Sequence, residues 1–175
     1  MDRELLLLGL LRQEEMHGYR LIEFVERALT TCTDLKKATA YFLLDKMVKR
    51  GWITQVQEQE GNRPPRRIYR ITAEGEAKFQ QLLRANLTSH HRPPFTGDIG
   101  LAFMDTLKPA EAVALLHKRR LALADDLEAA RLVPHHAGSM QLLIDHQRAY
   151  LESELRWLDE VIAQLTEGQS NAKPN

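Results

Sequence analysis

One stretch of the chain decides its fold: residues 35–75 read LKKATAYFLLDKMVKRGWITQVQEQEGNRPPRRIYRITAEG. Its first part carries apolar residues at helical spacing, and Gly51 follows where a left-handed residue commonly ends a helix. Apolar and polar residues then alternate in two short runs, Trp52–Gln57 and Arg67–Ile71, as they do in β-strands. Glycine, asparagine and proline separate the two runs and are typical of a turn. The stretch therefore predicts a helix over Leu35–Arg50 followed by a β-hairpin.

Helical patterns flank this stretch on both sides. We expect a first helix over residues 2–12 and a second over residues 19–28, separated by a break at Gly18. Asp34 is placed to cap the third helix and Thr72 the fourth. Three helices, a hairpin and a further helix are the element order of a winged helix-turn-helix. The predicted fold class is mainly α with a small β-hairpin wing.

The second half of the chain predicts two long helices. Pro109 suits the first turn of a helix that reaches about Leu132, and a second helix runs from about Met140 to Leu165. The expected domains are residues 1–87 as the winged helix, 88–100 as a proline- and glycine-containing linker, 101–167 as a helical dimerisation region that could also hold an effector, and 168–175 as a flexible tail.

The last helix carries a stripe that resembles a coiled-coil seam, with leucine and isoleucine at spacings of four and three. Aromatic residues widen the stripe beyond what one neighbouring helix covers easily. An exposed apolar stripe of this kind is an association site, and a symmetric pair is the commonest solution. We therefore expect a homodimer, formed by Tyr150, Leu151, Leu155, Trp157, Leu158 and Ile162.

Charge is balanced overall but not along the chain. There are 24 Lys and Arg against 24 Asp and Glu, yet residues 33–70 hold nine basic side chains against four acidic ones. A helix fits the major groove of B-DNA, and a basic hairpin beside it can follow the phosphates. The element order and this local charge predict double-stranded DNA as the partner. The candidate DNA-binding residues are Lys36, Lys37, Thr39, Tyr41, Lys46, Arg63, Arg66 and Arg67.

The stretch from Leu10 to Gly75 resembles the PadR family of transcriptional regulators. The matching segments are His17–Tyr19, Thr39–Leu44, Lys49–Ile53 and Arg66–Gly75, with looser similarity around Pro109 and Leu151–Leu158. The resemblance implies a repressor that acts as a homodimer on an inverted repeat. It also implies a response to a small aromatic or hydrophobic effector. The lone cysteine, Cys32, forms no disulfide within the chain and fits the reducing cytosol, so we expect a cytoplasmic protein.

Two residues depart from the family pattern. Phe42 stands where the family usually has proline, and Ala40 stands where it usually has a larger apolar residue. A phenylalanine opposite the core stripe of the third helix can contact a thymine methyl group, or it can pack on the other chain of the dimer or on a neighbouring element. Trp157 likewise has two possible roles: it can pack in the core between helices, or it can form one wall of an effector pocket.

Other classes of function find no support in the sequence. It lacks the motifs of phosphate-binding loops and nucleophile elbows, its histidines lack metal-ligand spacing, and its longest apolar runs are too short to span a membrane. We expect no enzyme activity, cofactor or metal. The alternative is a winged helix that binds another protein and not DNA. Acidic residues that interrupt the basic face would favour it: Asp45, Glu58 and Glu60.

Overall fold

The computed structural model describes residues 2–28, 35–59, 66–90, 95 and 97–171. The chain divides into two compact units, Met1–Arg92 and Pro93–Asn175. The described part is mostly helical with one small antiparallel sheet, which confirms the predicted fold class. No helix in the described part is long and apolar enough to cross a membrane.

Within its described residues the first unit has four helices and a three-stranded antiparallel sheet of strand order β1-β3-β2. The predicted hairpin is present as β2 and β3, whereas β1 was not predicted. β1 pairs Met16 with Tyr69 and His17 with Ile68, so it extends the sheet on the far side of β3. The elements are α1 (Asp2–Gln13), β1 (Met16–His17), α2 (Gly18–Ala28), α3 (Lys37–Lys49), β2 (Ile53–Glu58), β3 (Arg66–Ile71) and α4 (Ala73–Thr88).

The start of α3 differs from the prediction. The helix begins at Lys37 and not at Leu35, and Lys36 precedes it with extended backbone (φ −74°, ψ 149°) and no side-chain cap. Leu35 is buried in the core of the unit, so its apolar character reflects packing ahead of the helix. Asp34, the expected cap, lies outside the described residues. Gly51 has φ 72° and ends the helix as predicted.

The first turn of α4 closes against the end of α3. The Thr72 hydroxyl accepts a hydrogen bond from the Gly75 amide at 3.0 Å, which confirms the predicted cap. A Cβ atom on Gly75 would lie 1.9 Å from the Trp52 carbonyl oxygen, so only glycine permits this approach. The junction fixes the root of the hairpin relative to α3.

The second unit consists of α5 (Asp98–Ala102), a 3-10 turn (Met104–Thr106), α6 (Pro109–Leu132) and α7 (Ser139–Asn171). The two long helices pack against each other around Leu116, Leu158 and Ile162. Arg120 on α6 donates hydrogen bonds to Asp159 on α7, and this holds the pKa of the Asp159 carboxyl below its usual value. α6 has the predicted bounds, whereas α7 runs past the predicted end at Leu165 to Asn171.

The predicted dimerisation residues do not all face the same surroundings. Leu158 is 0% exposed and Ile162 is also buried, so both already belong to the core of one chain. α6 covers that edge of the stripe within one chain, and the assignment of these two residues to a dimer seam stays a prediction. Leu151 and Leu155 are half-buried, while Tyr150 and Trp157 are 51% and 38% exposed.

Candidate nucleic-acid interface

α3 presents one face outward from the first unit. Its inner face is buried through Ala40, Leu44 and Met47. The outward residues, spaced by four, three and four positions, are all exposed: Ala38, Phe42, Asp45 and Lys49. Lys36 and Lys37 are exposed at the start of the same helix. The N-terminal end of the helix therefore carries two ammonium groups, and its outward face carries both apolar and charged side chains.

The hairpin brings two arginines to α2 and α3. The Arg66 guanidinium carbon lies 5.5 Å from the ring centroid of Tyr19, and Arg67 Nη1 lies 3.6 Å from Asp45 Oδ1. These contacts hold the first residues of β3 beside the helices. A cleft of about 300 Å³ lies between them, lined by Gly18, Tyr19, Tyr41, Arg66 and Arg67. Its two guanidinium groups, together with any tyrosine hydroxyls that face it, are suited to an anion such as a phosphate.

Gly18 allows α2 to begin against two aromatic rings. A Cβ atom there would lie 3.0 Å from the Tyr69 ring and 3.2 Å from the Tyr41 ring. Tyr41 is half-buried and lines the cleft, whereas Tyr69 is fully buried. Burial raises the pKa of Tyr69, and the nearby Arg67 guanidinium opposes part of that rise. Tyr41 thus packs on the core and borders the cleft, while Tyr69 is structural.

Four described candidate residues do not line this cleft: Lys36, Lys37, Thr39 and Lys46. Lys46 Nζ lies 3.6 Å from Glu4 Oε1, and Arg50 Nη1 lies 3.6 Å from the same oxygen. The Lys46 ammonium group therefore lies beside Glu4 of α1. Thr39 is half-buried near the start of α3. Arg63 lies outside the described residues.

Sequence reasoning did not select Tyr19 as a site residue. The ring stacks on His17 with centroids 5.6 Å apart, and Arg66 covers it. The sequence did carry a signal, because His17–Tyr19 was one of the segments that matched the family. The resemblance drew attention to Tyr19, but it did not predict that Arg66 of the hairpin would contact the Tyr19 ring.

The acidic residues near the basic surface are each beside a basic group. Asp45 pairs with Arg67, and Glu58 Oε2 lies 3.8 Å from His17 Nε2. Glu60 lies outside the described residues. Among the described residues, no group of three or more His, Cys, Asp or Glu could hold a metal ion.

A second cavity lies within the second unit. It has a volume of about 240 Å³ and is bordered by α5, the 3-10 turn and α6. One cation stands at its edge: Arg119, whose Nη2 lies 3.7 Å from Glu154 Oε2 and whose guanidinium carbon lies 6.0 Å from the Trp157 ring centroid. Apolar side chains make up most of the lining, including Leu101, Met104, Leu115 and Leu116.

Comparison with known proteins gives a family match and a fold. Residues 7–81 match the Transcriptional regulator PadR-like family. Bacillus subtilis PadR in complex with operator DNA is similar at 20% sequence identity and a TM-score of 0.79, over 94% of this chain and 99% of that chain. The same protein in complex with p-coumaric acid is similar at 20% identity and a TM-score of 0.71, over 93% of this chain and 94% of that chain.

A further relative is the PadR-like transcriptional regulator BC1756 from Bacillus cereus. It is 19% identical with a TM-score of 0.65, over 95% of this chain and 99% of that chain. The comparison with curated proteins found no match. At these identities the solved structures establish the fold, and the residues of the interface must be judged from this chain.

Proposed function

We propose that the chain is a member of the PadR-like family of transcriptional regulators, whose model matches residues 7–81, and that it is a repressor acting as a homodimer on an inverted-repeat operator. The family consists of transcription regulators and not of enzymes. A regulator of this kind works on the chromosome, so the proposal places it in the cytoplasm.

The single observation that carries the proposal is the cleft between the helices and the hairpin. Arg66 and Arg67 line it beside Tyr19 and Tyr41, at the edge of an outward-facing α3. A DNA backbone supplies the anions that such a cleft binds, while the helix next to it enters the major groove. We assign phosphate contacts to Tyr41, Arg66 and Arg67, and base or backbone contacts to Lys36, Lys37 and Thr39.

The dimer follows from the poor burial of the second unit. Six of its described apolar residues are buried, three of them in one cluster, while many large apolar side chains are exposed on the same unit. An exposed apolar surface of this kind favours association, and a symmetric pair is the commonest solution. We assign the interface to Tyr150, Leu151, Leu155 and Trp157 together with part of this exposed set: Phe95, Ile99, Phe103, Leu107, Leu132, Val133, Met140 and Leu142.

Replacing Lys37 by alanine tests whether α3 reads bases. The first turn of a recognition helix reaches base edges, and a good bidentate contact discriminates against a wrong base by about 1–3 kcal/mol. Selection from random DNA should yield a relaxed consensus at one position of each half-site for Lys37→Ala. Lys78→Ala on α4 is the matched control and should return the parent consensus. An unchanged consensus for Lys37→Ala, with uniformly weaker binding, would assign this side chain to the phosphate backbone.

The cavity in the second unit is the proposed effector site. Its lining suits a small aromatic or apolar molecule, and Arg119 at its edge suits a carboxylate on that molecule. By linkage, an effector that weakens DNA binding must itself bind the DNA complex less tightly. The B. subtilis PadR complex with p-coumaric acid makes that compound a reasonable first probe.

Filling the cavity tests this assignment. Leu115→Trp adds bulk to a lining residue, whereas Leu121→Trp adds the same bulk to an exposed residue of α6 that does not line the cavity. An active effector should weaken operator binding of the parent and of Leu121→Trp by about 5- to 150-fold, and should have little effect on Leu115→Trp. A full response from Leu115→Trp, measured by electrophoretic shift with p-coumaric acid and related aromatic acids, would place the effector elsewhere.

A further inference from the structure

We propose that Phe42 reads the methyl group of a thymine on the floor of the major groove. The inference rests on the proposed function, because it requires α3 to lie in that groove. It concerns a residue at which this chain departs from the usual proline of its family, so relatives do not supply the answer.

The first observation is where the ring lies. Phe42 is 66% exposed, so it does not contribute to the core of its own unit. It stands in the second turn of α3, four residues after Ala38 and three before Asp45 on the outward face. A contact with DNA from this face would remove the ring from water, and apolar burial is worth about 25 cal/mol for each Å².

The second observation is the pattern of charge around the ring. Lys36 and Lys37 precede it at the N-terminal end of α3, and Arg66 and Arg67 line the cleft together with its neighbour Tyr41. These cations match the phosphates that border the groove. Asp45 lies three residues after Phe42, and its carboxylate is 3.6 Å from Arg67 and offsets part of that positive charge. The Phe42 ring itself offers no group that binds a phosphate, so with α3 in the groove its contact is with the bases.

The chemistry of the groove then selects the target. Base edges in the major groove offer hydrogen-bond donors and acceptors, and thymine alone adds an apolar C5 methyl group. A phenylalanine ring neither donates a conventional hydrogen bond nor accepts a strong one. It gains most by covering that methyl, so the ring favours a thymine at one position of each half-site.

The test compares thymine with uracil, which keeps the pairing edge and lacks the methyl. A consensus site is first selected from random DNA with the parent chain, and each thymine is then replaced singly by deoxyuridine. The parent should lose about fourfold in affinity at one thymine per half-site, the value expected for one buried methyl-sized group. Phe42→Ala should bind thymine and uracil equally at that position.

Phe24→Ala is the matched control, because Phe24 is also exposed in the first unit but lies on α2. It should keep the fourfold preference. The inference is overturned if Phe42→Ala keeps that preference, if no thymine is specified, or if Phe42→Ala changes the oligomeric state in sedimentation, which would assign the ring to a protein contact. A parent chain that binds no DNA sequence preferentially would instead remove the proposed function itself.

Discussion

A chain carrying Tyr150→Glu and Trp157→Glu is expected to sediment as a monomer and to bind its operator on the order of 10²–10⁴ times more weakly. Both side chains are exposed on α7, seven residues apart and therefore on the same side of the helix. A dimer would have to bury two carboxylates at these positions, one of them near the Arg119 guanidinium, and their desolvation costs more than the apolar contact gives. Each winged helix would then bind one half-site alone.

The choice of these two residues follows from the burial of their neighbours. Leu158 is fully buried against α6, so a charge there would disrupt the fold of one chain and would not isolate the interface. Leu87→Glu is the matched control, since Leu87 is exposed on α4 in the first unit. The control should remain a dimer with near-parental affinity. A dimer that survives Tyr150→Glu with Trp157→Glu would show that another part of the exposed apolar surface makes the interface.

Replacing Arg66 and Arg67 by alanine should lower DNA affinity about a hundredfold, with nearly the same loss for operator and random DNA. A charge-assisted hydrogen bond is worth roughly 1.5 kcal/mol or more, which is about tenfold for each arginine. Phosphate contacts carry no sequence information, so the preference for the operator should persist. The dependence of log affinity on log salt should also become shallower by about 0.9 for each lost contact.

The control for the arginine pair removes the same number of positive charges from another surface of the first unit. Lys78→Ala with Arg84→Ala removes two cations from α4, and both the affinity and the salt slope should stay close to the parent values. DNA affinity is measured between 50 and 200 mM salt for the parent and both double variants, and the salt slopes show whether Arg66 and Arg67 contact phosphates. An unchanged slope for the arginine pair would remove the hairpin from the DNA contact.

Local signals explain why most of the fold was predictable. The bounds of α6 follow from the proline at its first position and from apolar residues that recur at helical spacing along its length. Gly51 has a positive φ, as expected of a glycine that directly follows a helix. β1 escaped prediction because two residues carry no periodicity. The early start assigned to α3 came from taking Asp34 as its cap, which made Leu35 the first helical residue, whereas Leu35 is buried ahead of the helix.

The candidate site was less predictable because it depends on contacts between distant parts of the chain. Spacing alone put Lys46 with the DNA-binding residues, but Glu4 on α1 lies next to its ammonium group. Spacing also put Leu158 in a seam between chains, although α6 already covers it. Tyr19 joined the cleft only through Arg66, which reaches it from the hairpin. Such pairings are set by tertiary packing, which the sequence pattern does not encode residue by residue.

Selection of binding sites from random double-stranded DNA, using the full chain, tests the central claim most directly. We expect an inverted repeat whose half-site centres lie about 10–10.5 base pairs apart, or a multiple of that distance, and binding that weakens steeply with salt. If a folded, dimeric chain enriches no sequence, the claim that α3 and the hairpin read DNA is contradicted, and the winged helix then serves to bind another protein.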